Sequence, residues 1–204
     1  MKVIKRFATH FQISMLAIAL LCIGSSSALA RNGHSNTETS QQTGLTQDQK
    51  NLVKVVREST AGFQDVAAAK NAGYALLFGC VTGPDAGAMG LHFVNGAILD
   101  EVNKTGVFDA TRPQIVLYEP SANGNLRLTG ADFVVFAAQW DALHPNDPPQ
   151  LLGQRFHFFE SPNRFGLPAF YTLHVWAWKD NPNGAFVNWH PNVACEQFVG
   201  STTK

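Results

Sequence analysis

An α+β fold is what this sequence of 204 residues predicts, and three observations predict it. A helical apolar stripe is read at the start of the folded region. From Tyr74 onward the pattern becomes short apolar runs broken by turn residues, and no strand–helix–strand alternation or internal repeat follows. The architecture expected is N-terminal helices packed on a mostly antiparallel sheet of five or six strands.

Residues 1–30 read as a signal peptide. Lys2, Lys5 and Arg6 form a positive start, Ile13 to Ile23 is a short apolar run, and Ala28-Leu29-Ala30 supplies the small residues of a cleavage site. Cleavage near Ala30/Arg31 would deliver a secreted or periplasmic protein. Cys22 follows Leu21 and not the small residue that a lipidated cysteine needs, so a lipid anchor there is the minor alternative. Nothing after Ile23 is apolar over the roughly 20 residues that a membrane span requires. Residues 31–45 are almost entirely polar, bury no core, and read as a disordered leader. Residues 46–204 remain as a single α+β domain.

The elements of that domain follow in order. Thr46-Gln47-Asp48-Gln49 is a capping box, with Thr46 as N-cap and Gln49 reaching back. Leu52, Val55, Val56, Phe63, Val66 and Ala67 continue as a helical stripe that Gly62 divides and Gly73 ends. Strands are expected at Tyr74–Cys80, Leu91–Val94, Ile115–Glu119, Leu126–Phe136, Arg155–Phe159 and Phe170–Trp178. Gly83–Gly90 reads as a loop with three glycines, and His144–Pro149 as a proline-rich one. Asn123-Gly124 marks a hairpin and Asn181-Pro182-Asn183-Gly184 a turn.

Charge and cysteines bound the function. Of 15 Lys and Arg, three lie in the signal segment, which leaves 12 against 15 Asp and Glu. So balanced a chain offers no basic face to nucleic acid. With Cys22 removed, Cys80 and Cys195 remain, and in an oxidising compartment a structural disulfide is the expected pairing, free thiols or metal ligation the alternative. Phosphate-binding glycine motifs, a serine elbow and a zinc-protease helix are all absent from the sequence.

Chemistry is concentrated in histidines placed within strands. His92, His157 and His174 each sit between apolar neighbours, and Glu119 ends an apolar strand. Strand alternation puts His174 on one face with Thr172, Trp176 and Trp178, and Leu173 and Val175 on the other. If the aliphatic face meets the helices, then His92, Glu119, His157 and His174 can converge on the opposite side as a divalent-metal site. Imidazoles with one carboxylate suit Zn, Fe, Mn or Cu, and an open position would permit metal-assisted hydrolysis or oxidation. Trp176 and Trp178 would wall a pocket for a small-molecule ligand. The rivals are a metal-free module in which those tryptophans stack a sugar or apolar molecule, and a structural protein whose histidines satisfy hydrogen bonds. His144 and His190, each followed by proline, read as exposed loop residues.

Met89-Gly90-Leu91-His92 and Leu173-His174-Val175-Trp176-Ala177-Trp178, with Leu117-Tyr118-Glu119-Pro120 and Asn181–Phe186, resemble a family of uncharacterised secreted bacterial proteins. The likeness spans about Ala61 to Cys195. It implies a bacterial exported protein and carries no reaction with it. Cupin-like patterning is missing, because no H-x-H is followed closely by Glu.

Overall fold

Helix α1 (Gln47–Ser59) starts where its capping box stands. Thr46 Oγ1 accepts from the Gln49 amide at 3.2 Å, and Gln49 Oε1 accepts from the Thr46 amide at 2.9 Å. Two N–H groups that a helix start leaves orphaned are thereby satisfied. The computed structural model describes residues 44–83 and 85–203; the signal segment, Cys22 and most of the leader lie outside the described residues. A 3₁₀ turn at Ala61–Gln64 interrupts the stripe near Gly62, and α2 (Val66–Asn71) follows, its start held by Asp65 Oδ1 accepting from the Ala67 amide.

The strands come next: β1 (Ala75–Gly83), β2 (Gly87–Val94), β3 (Ile115–Pro120) and β4 (Leu126–Phe136). Then follow β5 (Gln150–Leu151), β6 (Gln154–Arg155), β7 (His157–Phe159), β8 (Phe170–Val175) and β9 (Thr202–Thr203). Seven of them form one sheet in the order β7-β8-β4-β3-β2-β1-β9, and β5 pairs with β6 apart from it. Every neighbour in the large sheet is antiparallel except β9, which runs parallel to β1. The α+β class stands, but the expectation of five or six strands is corrected to seven. The extra strand, β9, is two residues long and has no alternation of its own to read.

Helices are also not gathered at the N-terminus. Helix α3 (Gly96–Thr105) lies between β2 and β3, and α4 (Ala137–Leu143) follows β4. For α3 the causes are local. Asn95 Oδ1 accepts from the Ile98 amide, and Gly106 ends the helix in the left-handed region at φ 64°. The expected Gly83–Gly90 loop shrinks as well, because β2 starts at Gly87. Gly90 takes φ 88° within that strand, and a Cβ there would lie 2.4 Å from the Tyr118 carbonyl oxygen, so only glycine lets β3 come so close.

Alternation along β4 and β8 divides the sheet into two faces. Ala131, Phe133, Leu173 and Val175 join Leu52, Val53 and Val56 of α1 in one buried cluster. Asp132, Val134, Thr172 and His174 therefore turn to the other side. At the far side of the sheet Cys80 and Cys195 form a disulfide across a separation of 115 residues. Closing so long a loop contributes about 4–5 kcal/mol in the chain-entropy description.

Candidate metal centre

Three strands supply the polar floor of a cavity on that second face. Asp132 on β4 pairs directly with His174 on β8, and His92 on β2 pairs with Leu117 on β3. Two strands separate β2 from β8 in the sheet order. On a flat sheet that places their backbones roughly 14 Å apart. The curl of the sheet and the reach of two imidazoles close the gap, and the His92 and His174 ring centroids stand 5.7 Å apart. One ligand atom from each of His92, Asp132 and His174 falls within 4.8 Å of the others, and all three residues are buried.

Each donor is oriented by its surroundings. His92 Nδ1 lies 3.2 Å from the Gly90 carbonyl, which can only accept, so the proton sits on Nδ1 and Nε2 is left bare. Metal-bound histidines commonly show this arrangement, the outer nitrogen donating to a carbonyl. Asp132 Oδ1 accepts from Thr172 Oγ1 at 2.6 Å. His174 Nδ1 stands 3.6 Å from Asp132 Oδ1, beyond hydrogen-bond reach. Neither nitrogen of His174 has a partner, although the side chain is 2% exposed. A buried polar group left unpaired costs about 1–3 kcal/mol, so this ring asks for a ligand.

Burial sets the protonation states. It lowers His92 to about 4 and His174 to about 3, and it raises Asp132 to about 6. Near neutral pH the imidazoles are neutral and the carboxylate is charged, the form in which all three can hold a cation.

Other sequence candidates lie elsewhere. Glu119 is buried, but its carboxylate is already clasped: Arg127 Nε donates to Oε1 at 2.5 Å and Lys179 Nζ to Oε2 at 2.8 Å. His157 is exposed on β7, with Nε2 3.0 Å from the Phe186 carbonyl. Of the four expected ligands the structure thus brings together His92 and His174, and the carboxylate beside them is Asp132. Its signal in the sequence was the one acidic residue of β4, set between Ala131 and Phe133.

The tryptophan wall is a correction. Strand β8 ends at Val175, so alternation does not carry on to residues 176–178. Trp176 is buried, donates Nε1–H to the Val187 carbonyl and meets His190 edge-on at 4.9 Å. Trp178 donates to Thr60 Oγ1 and lies beneath Arg57. Neither lines the cavity. Phenylalanines do so instead: Phe78, Phe136, Phe159, Phe165 and Phe170, with Leu167, enclose about 140 Å³ above the His–Asp–His floor. His190, expected at the surface, is fully buried and packed beside Trp176. His144 is part-buried, stacked on Trp140 at 4.1 Å.

Two imidazole nitrogens and one carboxylate oxygen approaching from the floor would leave the remaining coordination positions facing the apolar cavity. Comparison with family models, with curated proteins and with solved structures returned no match.

Proposed function

We propose that this chain binds one divalent transition metal, of the Zn²⁺, Fe²⁺, Mn²⁺ or Cu²⁺ class, through His92, Asp132 and His174, and presents it to a small molecule. The observation that carries the reading is His174: a buried imidazole with both nitrogens unpartnered, beside a carboxylate and a second, pre-oriented imidazole. Donors bound about 2.1 Å from one ion stand roughly 3.0–3.4 Å apart. The 3.6 Å between His174 Nδ1 and Asp132 Oδ1 is a few tenths from that spacing. Two histidines and one carboxylate with open positions form the ligand set of non-haem iron sites, and a three-ligand site also suits zinc. A cation held there would polarise an oxygen donor entering from the cavity, which supports metal-assisted hydrolysis or oxidation as the class of reaction.

Export supports the same reading from outside the site. The Cys80–Cys195 bridge and the sequence of residues 1–30 fit a secreted or periplasmic bacterial protein, as does the likeness of the MG-x-H and LHVW-x-W segments to exported proteins. Among the described residues no helix is long and apolar enough to cross a membrane.

The test is elemental analysis of protein exported to the periplasm and purified without chelator or histidine tag, followed by calorimetric titration with Zn²⁺. One metal per chain is expected, lost in His174→Ala while the circular dichroism spectrum is kept. Wild-type protein that takes up none of the four metals at micromolar concentration would overturn the proposal. So would a His174→Ala variant that binds as tightly as the parent.

A further inference from the structure

The cavity above the His–Asp–His floor has a size, a lining and a polarity, and together these describe its ligand. A cavity of 150 Å³ lined by Leu, Ile and Phe takes up a single benzene ring in another protein, and this one, at about 140 Å³, is close to that volume. One six-membered ring matches that volume, and a second fused ring would project past the lining.

The walls favour an aromatic ring. Phe159 and Phe170 lie parallel with centroids 5.0 Å apart, and Phe165 meets Phe170 at 67° and 6.0 Å. These rings offer both faces and edges, the two arrangements in which aromatic pairs gain beyond burial alone. Phe78 closes the cavity with its backbone held at φ 67°, a strained conformation for a side chain of that bulk, and its ring packs 5.7 Å from Phe165.

Polarity is confined to one end. His92, Asp132, Thr172 and His174 supply the polar groups, and no Lys or Arg lines the cavity among the described residues. With no cationic side chain among these lining residues, the metal-free cavity offers an anionic ligand no partner. A neutral hydroxyl can donate to a bare imidazole nitrogen or to the carboxylate.

We infer that the pocket binds a monocyclic phenol, its ring among the phenylalanines and its oxygen directed at His174 and Asp132. Seating of the ring stands on the cavity; ligation of the oxygen rests on the metal reading above. The phenol oxygen then takes one of the positions that the three protein ligands leave open.

The experiment measures binding of benzene, phenol, benzoate and 2-naphthol to the full exported protein, chelator-treated and Zn²⁺-loaded, by calorimetry and thermal shift. Benzene and phenol should bind the metal-free protein, and benzoate and 2-naphthol should bind at least ten-fold more weakly than phenol. Zinc should tighten phenol at least ten-fold and benzene less than two-fold. Leu167→Trp, which fills the cavity from its partly buried rim, should abolish ring binding with zinc affinity within two-fold; should it misfold, the comparison of 2-naphthol with phenol tests size on the parent. Zinc uptake without binding of either ring would overturn this inference and leave the metal site standing. Ring binding without zinc uptake would overturn the metal site and leave the cavity. Benzoate binding the metal-free protein as well as phenol does would overturn the hydroxyl assignment.

Discussion

Asp132 and Glu119 are carboxylates on neighbouring strands of one sheet, both at most 5% exposed, in opposite electrostatic settings. Glu119 is met by two cations, Arg127 and Lys179, so its charge is balanced within the protein. Asp132 is met by the Thr172 hydroxyl and two imidazoles that burial keeps neutral. An ionised carboxylate taken from water costs several kcal/mol unless compensated, and hydrogen bonds alone leave its charge in place. Burial of a charge therefore does not mark a site. Burial without a countercharge does, and only Asp132 of this pair leaves its charge for a cation arriving from outside.

The largest effect that would break this contrast lies in metal affinity. Asp132→Asn removes the anionic donor and keeps the acceptor for Thr172. Zinc affinity should fall at least 100-fold, or about 2.7 kcal/mol, whereas Glu119→Gln should alter it less than three-fold. Calorimetric titration of the two variants side by side decides the matter, and equal losses would erase the distinction.

Stability should move in opposite directions. At pH 7.5 without metal, Asp132 is ionised at a site that raises its pKa from 3.8 to about 6. Replacing it with Asn should stabilise the fold by roughly 2–3 kcal/mol at 1.36 kcal/mol per unit. Glu119→Gln leaves the Lys179 ammonium, 20% exposed, without its partner, and should destabilise by about 1–2 kcal/mol after allowance for the exposed Arg127. Urea unfolding gives both numbers. Two shifts of the same sign would show that the two carboxylates are not different in kind.

How much of this contrast could be read from the chain depends on range. His92 and His174 were legible because a strand histidine between apolar neighbours needs a reason, and the Leu173/Val175 face settles which way His174 points. The capping box at Thr46 was legible because its partners lie three residues apart. Choosing Asp132 over Glu119 was not legible. It depends on Lys179 reaching back across 60 residues to Glu119 and on the curl that brings β2 over β8. Helix α3 carries local signals, Asn95 before it and Gly106 after it, with Ile98, Leu99 and Val102 in helical spacing. Helix α4 carries none at its start, where Phe136 occupies the N-cap position with no side-chain bond. Trp176 and Trp178 escape the alternation because β8 ends at Val175, where the chain leaves the sheet.

Acid should sharpen the contrast further. The unfolded chain protonates its histidines near 6.5, but folded His92 and His174 resist until about 4 and 3. The stability they allow is complete above pH 6.5 and is lost as pH falls from there toward 3. Asp132 has the opposite sign. Its folded pKa is raised, so its penalty is full above about pH 6 and fades as pH falls toward 3.8. Metal-free wild-type protein should therefore lose less stability between pH 6.5 and 4.5 than Asp132→Asn does, by about 2 kcal/mol. Urea midpoints at the two pH values test it, and parallel losses in the two proteins would mean that Asp132 is not held ionised against its surroundings.

The smallest expected effect concerns which cation balances Glu119. The Arg127 side chain is 67% exposed and that of Lys179 20%, so water screens the first pair far more than the second. Exposed pairs contribute about 0–1 kcal/mol. Arg127→Ala should thus cost less than about 1 kcal/mol, and the cost should shrink further in 1 M salt, where the screening length is roughly 3 Å. Lys179→Met should cost more and depend less on salt, because its ammonium lies against the carboxylate with little water between them. Chemical denaturation of both variants at low and high salt orders them. If Arg127→Ala proved the costlier, the countercharge of Glu119 would come from the surface rather than the interior, and the closed pair opposite Asp132 would be a looser thing than its geometry indicates.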